Sequence, residues 1–153
     1  MEIANPKVII VGCGNLGKKI GEIFAQRTNF QVLGLRRNPI EQGNFSILAK
    51  DIFADDFSAW IAAENPNYVI YSATPSTSKP EDYQKIYVDG LKKIIDVIQN
   101  NNLQTRVFFI SSTRVFNGSS KLEALDDHDE ITPNDEQGEI LGHAERIATK
   151  NER

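Results

Sequence analysis

The chain has 153 residues, of which 40% are hydrophobic and 25% charged, with a net charge of −4. This is the composition of one globular domain, and no apolar run approaches the ~18 residues of a membrane span. A single cysteine and two histidines exclude an internal disulfide framework and leave no convincing metal site, and the start, MEIANPK, has no secretory pattern.

In chain order, Lys7–Val11 (KVIIV) is a short β-branched run, the pattern of a strand buried on both faces. Gly12-Cys-Gly-Asn-Leu-Gly17 follows. From Asn15 to about Gln26 the residues Leu16, Ile20, Ile23 and Phe24 fall at helical spacing and predict an amphipathic helix. Phe30–Leu35 and Phe45–Ala49 predict strands 2 and 3, Asp56–Ala63 a helix, and Tyr68–Ala73 strand 4. Pro80 to about Gln99 predicts a long helix and Arg106–Ser111 a fifth strand. Glu123 to Glu139 holds eight of the 21 acids and no Lys or Arg, the composition of a solvated loop. The mildly basic remainder suits an anionic small ligand and is too weak to argue for nucleic acid. A last helix follows, for which Asn134 and Gln137 offer a capping box.

Alternating strands and helices predict an α/β fold, a doubly wound parallel sheet of order 3-2-1-4-5 with helices on both faces. Strand 1 then lies at the switch point, with the glycine loop at its carboxyl end. A G-x-G-x-x-G string is informative when a strand precedes it, a helix follows and a second strand ends about 20 residues on. All three conditions hold, so Gly12, Cys13, Gly14, Asn15, Leu16 and Gly17 are candidate contacts to a dinucleotide pyrophosphate. Glycines serving helix–strand packing alone are the alternative.

Strand 2 ends in Arg36-Arg37, where a carboxylate would accept hydrogen bonds from ribose hydroxyls. Guanidinium groups fork onto a 2′-phosphate instead, so NADP(H) is expected over NAD(H). The alternative is two ordinary surface charges. Asp51-Ile52 could place a carboxylate near the adenine amino group or be a solvated loop. Ala73 and Thr74, within the SATP segment, provide small residues where a cofactor lies close to backbone, or serve loop packing.

Ile110–Phe116 (ISSTRVF), Glu130–Pro133 (EITP) and Gly138–Glu145 (GEILGHAE) resemble extended short-chain dehydrogenases/reductases of the NAD-dependent epimerase/dehydratase family, in particular an atypical branch. The resemblance spans about Lys7 to Ile147. It implies a Rossmann-type cofactor domain and a smaller carboxyl-terminal substrate domain. It also implies a catalytic Ser/Thr on strand 5, aligned with Ser112, and a Tyr-x-x-x-Lys pair on the next helix. Gln137 and Leu141 occupy the tyrosine and lysine positions, and no tyrosine follows Tyr87. Gln cannot exchange a proton near neutral pH, and Leu can neither lower a phenol's pKa nor hold a ribose. Tyr71, Tyr83 and Tyr87 are remote substitutes, and neither His128 nor His143 is assigned a role.

The expectations are therefore an NADP(H)-binding Rossmann domain over residues 1–153, from an epimerase- or dehydratase-like oxidoreductase, or alternatively a non-catalytic NADP(H)-binding sensor or interaction protein. The chain stops on the last helix, so an amino-terminal part of a larger enzyme is expected, with a stand-alone cofactor domain as alternative. The remaining expectations are an unidentified small-molecule substrate, a cytoplasmic location, no metal, no nucleic-acid or membrane partner and, by resemblance only, a homodimer.

Overall fold

The computed structural model describes residues 5–38, 43–116 and 128–150. Of the acidic stretch, Glu123, Asp126 and Asp127 lie outside these residues. A parallel five-stranded sheet of order β3-β2-β1-β4-β5 comprises β1 (Lys7–Val11), β2 (Gln31–Arg36), β3 (Ser46–Ala49), β4 (Tyr68–Tyr71) and β5 (Arg106–Phe109). This is the strand order expected from the sequence. Helices α1 (Asn15–Arg27), α2 (Phe57–Glu64), α3 (Pro80–Tyr83), α4 (Leu91–Asn100) and α5 (Glu136–Thr149) pack around it. In register, Val11 lies opposite Leu35 on β2 and Tyr71 on β4, so the carboxyl ends of the three central strands are level.

Alternation along β1 explains its unbroken apolar run. Ile9 and Val11 enter a large core with residues of α2, α4 and α5, whereas Val8 and Ile10 enter a smaller one with Cys13, Phe45 and Ile70.

Two local expectations are corrected. Helical spacing assigns Leu16, Ile20, Ile23 and Phe24 to one buried face of α1, yet Leu16 and Ile23 are 51% and 52% exposed. The helix docks instead through buried Gly17 and Gly21, one turn apart, with Ile20 and Phe24 packed beside the smaller core. A helix that meets a sheet along glycines lies too close for its larger residues to occupy the centre of the seam. The cap of α5 is Asp135 rather than Asn134: its Oδ1 accepts the Gly138 N–H at 2.7 Å. Arg114 fixes this choice by donating from Nε and Nη2 to the Asp135 carboxylate at 2.9–3.2 Å. The Arg114 hydrogen bonds, then the Gly138 N–H, hold the carboxyl below its usual range. The Arg114–Asp135 tie is thus intact at neutral pH and is lost as pH falls through that depressed value. The Gln137 side chain does not complete a capping box but donates to Ser78 C=O at 2.8 Å.

Between α3 and α4 the helix widens into a π-helical segment, Gln84–Gly90. The long helix predicted over Pro80–Gln99 is therefore unbroken along the chain but not uniform in hydrogen-bond pattern. The Tyr71 hydroxyl donates to Ile86 C=O inside the widened turn.

Candidate functional site

The loop between β1 and α1 is held from two sides. Gly12 and Cys13 N–H both donate to Leu35 C=O on β2, at 3.2 and 2.8 Å. On the other side, Ser72 Oγ donates to Gly12 C=O at 2.9 Å. Gly12 has φ +84°, and a Cβ there would collide with the backbone N and Cα of Ala73. Only glycine combines that conformation with that approach.

Gly14 is the cap residue of α1 and supplies no side-chain cap. The first intrahelical bond runs from Lys18 N–H to Gly14 C=O, and the geometry of a helix start leaves the preceding N–H groups of Asn15, Leu16 and Gly17 without helical acceptors. A Cβ on Gly14 would meet no atom within 4 Å. The uncapped helix start and the open space above Gly14 together form a cradle for an anion. Gly17 plays a different part, packing against Gly12 C=O, Ser72 Oγ and Ile10.

The loop forms one wall of a cleft of about 770 Å³ across the carboxyl ends of the strands. Every candidate from Gly12 to Gly17 lines it, as do Arg36, Arg37, Asp51, Ile52, Ala73, Thr74 and Ser112. Their contributions differ. Cys13 has a fully buried side chain facing Gly34, so only its backbone is offered to the cleft. Arg36 ends β2 half-buried and Arg37 is exposed. Asp51 Oδ1 accepts the Phe53 N–H at 2.9 Å, which fixes the turn after β3. Ser112 is exposed, and its Oγ accepts the Arg114 N–H at 3.3 Å.

Sequence reasoning missed Ser111, Lys85 and the π-helical segment, all of which reach the cleft. Lys85 Nζ lies 5.0 Å from the centre of the Phe53 ring. Gln137 and Leu141 do not line the cleft: Gln137 is tied to Ser78, and Leu141 is 1% exposed within the large core. Among the tyrosines, buried Tyr71 is committed to Ile86 C=O, and Tyr83 Oη accepts from Arg114 Nη1 at 3.2 Å. Burial pushes the phenols of Tyr71 and Tyr87 up, away from proton exchange at neutral pH. Among the described residues no group of three or more His, Cys, Asp or Glu comes together to hold a metal ion, and no helix is long and apolar enough to cross a membrane.

Burial also pushes the Cys13 thiol up, outweighing the opposing influence of Arg36 and Lys18. Iodoacetamide at pH 8 is therefore expected to label native Cys13 slowly and the urea-unfolded chain completely. Labelling of the folded chain at the rate of a free thiol would show that the loop opens.

No family model matches the chain. Among curated proteins it is 28% identical over 120 residues to a decarboxylating sterol-4-alpha-carboxylate 3-dehydrogenase of Schizosaccharomyces pombe, covering 73% of this chain and 35% of that protein. Among solved structures, a protein assigned as an NAD-dependent epimerase/dehydratase in Methylobacillus flagellatus is 29% identical, with a TM-score of 0.72 over 94% of this chain and 50% of that one. A nucleoside-diphosphate-sugar epimerase of Agrobacterium tumefaciens, at 19% identity, has a TM-score of 0.79 over 95% and 48% of the two chains. WbmH of Bordetella bronchiseptica, solved in complex with NAD+, is 18% identical with a TM-score of 0.70, covering 95% and 52%. The chain thus spans about a third of its curated relative and about half of these structures. Its fold is that of NAD-dependent epimerase/dehydratase and short-chain dehydrogenase/reductase proteins.

Proposed function

We propose, from this epimerase/dehydratase-type Rossmann domain, that the chain binds a nicotinamide dinucleotide, with NADP(H) preferred over NAD(H), as the cofactor part of an oxidoreductase or epimerase. The observation that carries the proposal is the uncapped start of α1 beneath open space at Gly14, in one cleft with Arg36 and Arg37. The N–H groups of Asn15, Leu16 and Gly17 would hold the pyrophosphate, and Arg36 and Arg37 the 2′-phosphate. Asp51 and Ile52 would border the adenine, Ala73 and Thr74 would allow close backbone approach, and Ser112 would bond a substrate oxygen. The bound cofactor would supply hydride transfer. A substrate-binding part beyond this chain belongs to the same proposal.

A second reading, an NADP(H)-binding sensor or interaction protein without turnover, is favoured by Gln137 and Leu141. By alignment they stand where the proton-transfer pair is expected, and neither reaches the cleft.

Titration of the chain with NADPH and NADH tests the binding. Tighter NADPH binding is expected, and replacing both Arg36 and Arg37 by Ala should reduce NADPH affinity by roughly 10- to 100-fold, the range of lost charged hydrogen bonds, with little effect on NADH. Binding of neither cofactor overturns the proposal, and an unchanged preference in the double variant overturns the phosphate clamp. Stereospecific hydride transfer to a carbonyl substrate by the whole gene product would decide for the enzyme over the sensor.

A further inference from the structure

The outer face of α5 carries a pattern that the cleft does not use. Glu136, Glu139, His143, Arg146 and Lys150 alternate three and four positions apart, and all are exposed. That spacing sets them in one stripe along the helix, the seam geometry of paired helices. Half-buried Ile140 and Ile147 lie beside the stripe, about one turn to either side of His143. These residues line a groove to which Gln84 of the π-helical segment adds the one contribution from another element among the described residues. The inward face, with Gly138, Leu141, Gly142 and Ala144, is buried against the domain.

The charges along the stripe are sorted. Glu136 and Glu139 stand at its amino end, Arg146 and Lys150 at its carboxyl end, and none of the four makes an ion pair among the described residues. A helix macrodipole favours this order on any face. Glu145, near the carboxyl end but off the stripe, breaks it, so the sorting belongs to the stripe and not to the whole helix. A stripe acidic at one end and basic at the other is complementary to itself reversed. A parallel neighbour would set like charges together. An antiparallel copy brings Glu136 and Glu139 alongside Lys150 and Arg146 of the second copy, and the reverse. The two-fold axis of such a pair passes through the middle of the stripe, at His143.

We propose that α5 is a self-association surface, pairing antiparallel with α5 of a second copy about His143, and that mild acid loosens the pair. Imidazoles gain charge as pH falls from 8 to 5, so acid sets two imidazolium groups against each other at the axis. The nearest charges on the stripe, Glu139 and Arg146, have opposite signs and offset one another. Gln84 is uncharged, and its amide is bonded to Asp89 at 2.9 Å. The proposal stands independently of the dinucleotide reading.

Sedimentation equilibrium of the chain at pH 8 and pH 6 tests it. A monomer–dimer equilibrium is expected at pH 8, with association about threefold or more weaker at pH 6. His143→Gln should dimerise equally at both. A Glu136→Lys, Glu139→Lys double variant and an Arg146→Glu, Lys150→Glu double variant should each associate roughly tenfold more weakly or worse, because every cross-pair becomes like-charged. An equimolar mixture of the two should form a heterodimer, and that rescue also reports that both are folded. A wild-type chain that stays monomeric at both pH values overturns the proposal. So does association that survives both charge reversals, which would place the contact on another face, or a mixture that stays monomeric. Equal wild-type affinity at both pH values, or a pH dependence retained in His143→Gln, removes His143 from the axis and overturns the register.

Discussion

Gly14→Ala is expected to leave the chain folded and to abolish most of its dinucleotide affinity, whereas Gly12→Ala two residues earlier should damage the fold itself. At Gly14 the backbone φ is −79°, and a Cβ would touch nothing. Its stability cost is that of a changed helix cap, under about 1 kcal/mol. The methyl group would, however, stand in the space over the first N–H groups of α1, where an anion must approach to bonding distance. A loss of more than roughly tenfold in affinity follows, since even one charged hydrogen bond forfeited has that value. At Gly12 the left-handed φ of +84° and the collision with the Ala73 backbone act together. Neither is relieved by a side-chain rotation, and a loss of about 3 kcal/mol or more is expected. That is a large fraction of the stability of a domain of this size. Urea unfolding followed through the single tryptophan, Trp60, with NADPH titration alongside, separates the two effects. Wild-type affinity in Gly14→Ala would remove the pyrophosphate from this loop.

The contrast shows which parts of the site were legible in the sequence. The glycine loop was readable because its chemistry is local: a strand before it, a helix after it and conformations that side chains forbid. The strand order followed from alternation of elements, and the Arg36-Arg37 pair from its distance to the loop. What escaped was decided by contacts across the fold. Leu16 and Ile23 satisfy helical periodicity as well as any buried pair, and only docking along Gly17 and Gly21 turns them outward. Asn134 and Asp135 are both good cap residues, and Arg114, twenty-one positions before Asp135, makes the choice. Ser111 and Ser112 are alike in sequence, yet one hydroxyl is partnered and the other is not. The π-helical turn left no trace because Ile86, Ile94, Ile95 and Ile98 remain compatible with an ordinary helix.

That turn is the source of the second large effect. Gly90 closes the π-helical segment, and a Cβ there would collide with the Tyr71 hydroxyl and lie 2.7 Å from Ile52 Cδ1. The isoleucine end can rotate aside. The phenol cannot, because its ring is fully buried between Phe109 and the core and its hydroxyl is bonded to Ile86 C=O. Gly90→Ala is therefore expected to cost about 2–4 kcal/mol, although alanine is the better helix former by about 1 kcal/mol. Tyr71→Phe alone should cost about 1–2 kcal/mol through the carbonyl it leaves unpaired. The two changes should not add. With the hydroxyl gone, the methyl group introduced by Gly90→Ala finds room and the helix propensity of alanine counts in full. The double variant is then expected to be more stable than Gly90→Ala by at least about 1 kcal/mol. Strict additivity in urea unfolding would mean that the Tyr71 hydroxyl does not set the spacing of this turn. The same series bears on the cleft, because the widened turn carries Lys85, Ile86 and Tyr87 into its wall. Gly90→Ala should weaken dinucleotide binding, and Tyr71→Phe in the same chain should restore part of it. A purely destabilising change would leave the affinity of the folded fraction untouched.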